Sequence, residues 1–413
     1  MLDIKYIKEN KEKVLNAAKN KRREVDLDKI ISLDDQRIAL QREIDNLRRL
    51  RNENARDKRN LEEGKKLKEE VQSKEETLKK IEEELKTLSL TVPNVPLDDV
   101  PVGPDSSGNI EVRKVGDPTK FDFTPKDHTE LGKSLDIIDT ERGSKVGGFR
   151  AYFLKNEGAL LEMAVLWYAM KKLVSKGMTP FIPPVLVKEF TLFGNGQFPW
   201  GRPEVYHLEE DDLYLAGTAE VPLCSYHADE VFNEKDLPKK YAGYSTCFRR
   251  EAGSYGKDTK GIYRLHQFNK IEQVVFCKND INESLKWHDW LLNNAEEILQ
   301  DLKLPYRVML MCTGDMGEPQ VKKYDIETWM PSRNGYGETQ SDSIMGDFQS
   351  RRLNIRYKTT DGKTLFVHML NNTAVASPRI LIPILENYQQ KDGSVVVPEV
   401  LREYVGKEII TPK

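Results

Sequence analysis

The sequence predicts an α+β protein in which a long helical hairpin precedes a globular body of strands and helices. Two observations carry this expectation. Residues 27 to 90 hold no proline, no aromatic and a single glycine, and their apolar side chains recur on a heptad. Beyond residue 109, aromatics, strand-like alternation and glycine-punctuated loops take over. A chain of 413 residues also exceeds one compact core, so two or three domains are expected.

In the hairpin, Ile30, Leu33, Leu40, Ile44 and Leu47 follow the 3-4-3-4 series, with Arg37 as the polar interruption. Leu67, Val71, Leu78, Ile81, Leu85 and Leu88 repeat it, with Lys74 out of place. That spacing puts one apolar stripe on each of two helices. The stripe lapses in RNENARDKRNLEEGKK, which predicts an antiparallel coiled-coil arm over about 27–90 that folds back near 57–63. Each leg would reach roughly 45 Å at about 1.5 Å per residue. Residues 48–68 carry nine basic against four acidic side chains, so the distal part is basic. Two readings stay open: charges that only keep a coiled coil soluble, or an arm that grips a phosphate backbone.

Residues 91–109 hold four prolines among turn formers and are read as an extended linker. The net charge of −3 excludes a uniformly basic nucleic-acid binder but not a local patch. The four cysteines are dispersed, with no CxxC pair, so neither a zinc site nor a disulfide framework is indicated. The start, MLDIKYIKENKEKV, lacks the apolar core of a signal peptide, and no stretch reaches membrane-spanning length. A protein of the cytoplasm, or of an organelle from which a targeting segment has been lost, is expected, with no membrane partner.

The chemistry concentrates in Tyr244 to Cys277. Two strand-like runs flank a loop with Gly253, Gly256 and Gly261. Alternation puts Arg264, His266, Phe268, Lys270 and Glu272 on one side, and Arg249 with Glu251 on one face of the first run. Arginines suit phosphate oxygens, a Phe offers a stacking plate, and a carboxylate takes an ammonium group. Phe268 and Glu272 stand about 13 Å apart along a strand, the span of an aminoacyl-adenylate. The alternative is a solvent-facing strand decorated with salt bridges.

The segment TCFRREAGSYGKDTKGIYRLHQFNKIE resembles motif 2 of the class II aminoacyl-tRNA synthetases, in the seryl-tRNA synthetase version. KGMTPFIPPVLV at 176–187 is similar to motif 1, LAGTAEVPL at 215–223 to the serine-recognition strand, and NNTAVASPRILIPILENYQ at 371–389 to motif 3. GDFQSRRLNIRY at 346–357 precedes the last of these in the family's order. The resemblance covers essentially the whole chain. It implies a class II antiparallel β-sheet flanked by helices, with a tRNA-binding domain over 1–108 and a catalytic domain over 109–413. It also implies a homodimer joined through motif 1, in which the arm of one subunit holds tRNA whose acceptor end enters the other's site. The implied activity is ATP-dependent formation of seryl-adenylate and transfer to tRNA(Ser), with tRNA(Sec) as a second candidate.

By position, the resemblance makes Arg249, Glu251 and Arg379 catalytic. Arg249 would bind the α-phosphate and the serine carboxylate, and Arg379 the γ-phosphate. Phe268 would stack on adenine and Leu265 contact the base, with Arg250, Glu251, Thr339 and Gln340 also at ATP. Glu338 and Ser341 would hold Mg²⁺. Thr218, Ala219, Glu220, Arg249, Glu272 and Thr373 would line the serine pocket. Five histidines, His128, His207, His227, His288 and His368, have no partner at metal-ligand spacing and read as structural or surface. Trp200 fits a loop near the pocket or the core equally.

Four departures from the family's pattern stand out. Gly217 replaces a proline, which would loosen the start of the serine strand. Gln340 and Asp342 alter the stretch around Ser341. Pro383 falls in the motif 3 helix, at a cost that shrinks if it lies in the first turn. The arm is shorter than in many bacterial relatives, which predicts fewer phosphate contacts. Two rivals remain: a ligase that loads a small amino acid onto a carrier protein, and a non-catalytic tRNA-binding paralogue.

Overall fold

The computed structural model describes residues 1–56, 61–254 and 260–413. The chain divides into two compact units, Met1–Val95 and Pro96–Lys413. Part of the expected fold-back at 57–63 lies outside the described residues, as does Gly256.

The first unit is helical. Ile4–Glu9 and Lys11–Asn20 are followed by α1 (Leu27–Arg56) and α2 (Leu61–Ser89). Lys29 pairs with Glu84 (3.2 Å) near the start of α1, whereas Glu43 and Arg48 further along pair with Lys74 (2.7 Å) and Glu75 (2.8 Å), so the legs are antiparallel. Ile30, Leu33, Ile44, Val71, Leu78 and Leu85 are buried along the seam. The two polar interruptions are satisfied at its edge, Arg37 by Asp34 and Lys74 by Glu43. Each polar head reaches a carboxylate while its stem covers the stripe.

The second unit is built on an eight-stranded sheet. Its strands are β1 (Ile110–Val115), β2 (Thr179–Phe181), β3 (Lys239–Phe248), β4 (Gln267–Cys277), β5 (Tyr306–Leu310), β6 (Lys322–Met330), β7 (Gly335–Gly346) and β8 (His368–Ser377). Their spatial order is β1-β5-β6-β7-β8-β4-β3-β2. Every pair is antiparallel except β2 with β3. Helices α4 (Asn156–Ser175) and α5 (Ile281–Asp301), with α6 (Leu381–Tyr388), cover one side through the largest apolar cluster, which includes Leu161, Val165, Leu291, Ile298, Ile384 and Leu385. The short helix α3 (His128–Ser134) joins the same layer through Leu131.

The stretch 96–108 belongs with the second unit because it is bonded to it along its length. Leu97 N–H donates to Val321 O (2.9 Å), Thr313 N–H to Pro101 O (2.9 Å) and Gly314 N–H to Gly103 O (3.0 Å). Proline-rich backbone keeps its carbonyls available, and here they are used. Pro383 is the third residue of α6, inside the first turn, where the missing amide has no intrahelical partner to lose.

One side of α4 remains exposed. Leu160, Met163 (68% exposed) and Trp167 (56%) line an apolar depression of about 740 Å³ with Pro180 and Ile182 (84%). Among the described residues no helix is long and apolar enough to cross a membrane.

Candidate active site

The middle of the large sheet carries a cavity of about 280 Å³ with mostly polar walls. On β4 simple alternation builds it: Phe268, Lys270 and Glu272 all face it, as residues two apart on a strand must. On the neighbouring strands alternation is broken on purpose. In β7, Glu338 pairs with Glu327 but Gln340 pairs with Ile326, so Thr339 is an extra residue. Glu338 and Ser341, three apart, would face opposite sides of a regular strand, and the bulge returns both to the cavity. In β8, Thr373 pairs with Glu272 and Val375 with Ile271, leaving Ala374 as a second bulge. Thr373 and Ala376 therefore line the same wall.

The alternation read from Arg264 onward starts too early. β4 begins at Gln267, so Arg264 and His266 stand in the preceding loop. Arg264 there donates to Glu251 Oε2 (2.9 Å), and His266 Nδ1–H to Arg249 O (3.0 Å). Nor do Arg249 and Glu251 share a strand face. β3 ends at Phe248, and Glu251 adopts φ 55° in a turn, a left-handed conformation costing a non-glycine residue about 1–3 kcal/mol. Arg264 and the buried Arg150 (4.0 Å) flank its carboxylate and hold it toward the cavity.

Two further expectations part company with the cavity. Arg250 is exposed, with its amide on Glu204 O (2.9 Å), and does not line the wall. Ala219 is fully buried in an apolar cluster with Leu223 and also lies outside the wall. Thr218, Glu220, Arg249, Glu251, Leu265, Phe268, Glu272, Glu338, Thr339, Gln340, Ser341, Thr373 and Arg379 all line it. The Gln340 side chain is turned inward, donating to Ala374 O (3.0 Å), so its amide head supports the β8 bulge.

At one end, the Arg249 guanidinium lies over the Phe268 ring (5.1 Å) and its Nε donates to Gly217 O (3.3 Å). Gly217 itself is bracketed, because Ala216 N–H donates to Val185 O and Phe248 N–H to Ala216 O. The backbone is thus pinned where loosening was expected. Arg379 lies over the Tyr263 ring (4.4 Å), and its Nη1 donates to Glu338 O (3.2 Å). Burial alone would raise the Glu338 carboxyl, but Arg379, Lys323 and Arg249 outweigh it and hold it below its usual range.

At the other end sit two carboxylates, Glu272 buried and Glu220 partly so. Glu220 Oε1 accepts from Gln349 (2.8 Å) and Asn371 (2.8 Å). Burial, reinforced by the charge of Glu272, pushes Glu220 up to about 7. Glu272 pairs with Lys270, which also donates to Thr373 Oγ1 (3.2 Å), and Thr373 donates to Glu272 Oε2 (3.2 Å). Lys270 had a place on the strand face but no role. Lys323, Tyr263, Asn371, Gln320 and Gln197 were not anticipated at all. Lys323 and Asp325, charges two apart in the strand run VKKYDIETW, were the legible signal. Gln197 belongs to the loop around Trp200, whose ring lies against Arg352 (5.5 Å) and not in the cavity wall.

Comparison with known proteins agrees across both units. The profile of the seryl-tRNA synthetase N-terminal domain matches residues 1–96. That of the class II tRNA synthetase core domain (G, H, P, S and T) matches residues 204–388. A serine–tRNA ligase from Deinococcus radiodurans is 48% identical over 98% of this chain and 98% of its own length. Another from Thermobifida fusca is 52% identical over 85% of this chain and 82% of its own. The crystal structure of seryl-tRNA synthetase from Pyrococcus horikoshii complexed with ATP superposes with a TM-score of 0.93 at 38% identity, covering all of both chains. With an antiparallel helical arm, a bulged antiparallel sheet and relatives of this similarity, the chain belongs to the seryl-tRNA synthetase family.

Proposed function

We propose that this chain activates L-serine with ATP, forming seryl-adenylate and pyrophosphate, and transfers the seryl group to the 3′ end of tRNA(Ser). The observation that carries this reading is the polarity of one cavity: cationic and aromatic groups at one end, hydroxyl and carboxylate groups at the other. Adenylation is an in-line attack of a carboxylate oxygen on the α-phosphorus, so positioning and charge neutralisation matter more than a protein nucleophile. Arg249 bridges the serine carboxylate and the α-phosphate. Phe268 stacks on adenine, and Arg379 takes the γ-phosphate of the departing pyrophosphate. Glu272 and Thr373 meet the serine hydroxyl and ammonium, with Glu220 and Thr218 completing the pocket. A site that hydrogen-bonds the hydroxyl penalises alanine, whose binding leaves buried polar groups unpaired.

Hard oxygen donors suit Mg²⁺. Glu338, kept charged beside Arg379, and Ser341, brought to the same face by the β7 bulge, would hold it. When bound it neutralises charge on the phosphates.

Pyrophosphate exchange tests the reading. Exchange driven by serine, and not by glycine or alanine, is expected. Exchange with glycine or alanine alone would favour a carrier-protein ligase, and absence of ATP binding in calorimetry a non-catalytic paralogue. A pH profile adds a second check. Burial pushes the Glu220 carboxyl up to about 7, and on this reading its charged form would face the serine ammonium group. kcat/KM for serine should therefore fall about tenfold per pH unit below 7, and Glu220→Gln should flatten that limb. The same shift means the native state holds this proton more tightly than the unfolded chain does. Stability from this group is therefore lost as pH rises from 4.5 toward about 7.

The arm, with its basic distal part, is the tRNA-binding element on this reading. Replacing Lys65, Lys66 and Lys68 together by alanine should raise KM for tRNA(Ser) about tenfold and leave serine-dependent exchange unchanged. Charging assays with tRNA(Ser) and tRNA(Sec) in parallel read both acceptors. The four cysteines are free and buried, which suits a reducing cytoplasm. The apolar depression on α4, continuous with the motif 1 residues Pro180 and Ile182, supports a homodimer joined there.

A further inference from the structure

Behind the nucleotide end of the cavity, a polar cluster centred on a buried carboxylate ties three segments together. Glu386 of α6 is fully buried and accepts from four donors. These are the His128 amide (3.1 Å), His128 Nδ1 (2.9 Å), the Ser332 amide (3.0 Å) and Ser332 Oγ (2.8 Å). A carboxylate only accepts, so Nδ1 carries the proton and Nε2 is left with its lone pair. That lone pair accepts from the Ile262 amide at 3.3 Å. The approach requires glycine beside it: Gly261 has φ 72°, and a Cβ there would stand 2.0 Å from His128 Nε2.

The consequence lies one residue further on. Tyr263 lines the cavity, with its ring between the guanidinium groups of Arg333 (4.0 Å) and Arg379 (4.4 Å). Its carbonyl accepts from Arg379 Nε (3.1 Å) and its hydroxyl donates to Glu338 O (3.3 Å). Arg333 follows Ser332, the other residue held by Glu386. One carboxylate therefore sets both the loop that carries Tyr263 and the loop that carries Arg333. We propose that His128 is a positioning residue for the nucleotide half of the site: through Glu386 and the Ile262 amide it fixes Tyr263, and through Tyr263 the Arg379 guanidinium that meets ATP.

This inference rests on the functional reading above, and the two fail differently. Serine-dependent exchange by the unaltered protein tests the reading. The inference is tested by KM values of variants in the same assay. His128→Ala should raise KM for ATP about tenfold while KM for serine stays within about twofold. His128→Gln, whose amide oxygen reaches toward the same Ile262 N–H, should recover most of the loss. Equal changes in both KM values, unchanged KM values with less active protein, or no rescue by glutamine would overturn it. If His128→Ala does not fold, Ser332→Ala removes one donor from Glu386 by a milder route. A rise of about threefold in KM for ATP then supports the proposal, and an unchanged value overturns it.

Discussion

Arg249→Ala should lower kcat/KM for seryl-adenylate formation about a thousandfold, or roughly 4 kcal/mol of transition-state stabilisation. The size follows from where the guanidinium stands. It is aimed by Gly217 O and backed by the Phe268 ring, at the junction between the nucleotide and amino-acid ends of the cavity. Among the described residues the other two arginines nearby are engaged elsewhere, Arg264 with Glu251 and Arg379 with Tyr263 and Glu338, so Arg249 is the guanidinium best placed for charge that develops on the α-phosphoryl oxygens. Arg249→Lys should recover less than about tenfold, since a point charge cannot reproduce the planar fork. Arg249 is only partly buried, so the melting temperature should move by no more than about 2 °C. Pre-steady-state adenylate formation measures the effect, and a loss confined to the tRNA transfer step would remove Arg249 from the activation chemistry.

How much of this was readable in advance depended on whether a feature was periodic. The heptad in 27–90 gave the arm, because burial of one stripe is the only way two such helices can pack. The alternation Phe268, Lys270, Glu272 gave the floor of the site for the same reason. The bulges at Thr339 and Ala374 carry no periodic signal. They invert the parity of β7 and β8, so Glu338 with Ser341, and Thr373 with Ala376, share a wall that simple alternation would divide. Carrying residues over by family motif reached Glu338 and Ser341 without that geometry. It also brought in Arg250 and Ala219, which do not line the cavity. Arg264 and His266 failed differently: a glycine-rich loop had not yet become a strand. Lys323 and Tyr263 were missed because they enter from β6 and from a turn, and their convergence on Glu338 and Arg379 is tertiary.

Trp167→Asp should take the proposed homodimer apart, raising its dissociation constant by at least about ten-thousandfold and leaving monomers at micromolar concentration in sedimentation velocity. Trp167 is half exposed on α4 and lines the apolar depression with Met163, Pro180 and Ile182. A two-fold interface buries the same patch twice, so one substitution places two carboxylates in it. An unpaired buried charge costs about 3–5 kcal/mol. Trp167→Phe keeps the apolar area and should remain dimeric, which separates loss of packing from loss of fold. Charging should suffer more than exchange: if the arm of one subunit presents tRNA to the site of the other, a monomer keeps its adenylation cavity and loses the partner that delivers the acceptor end. A variant that sediments as a dimer, or one in which exchange and charging fall together, would move the interface away from α4.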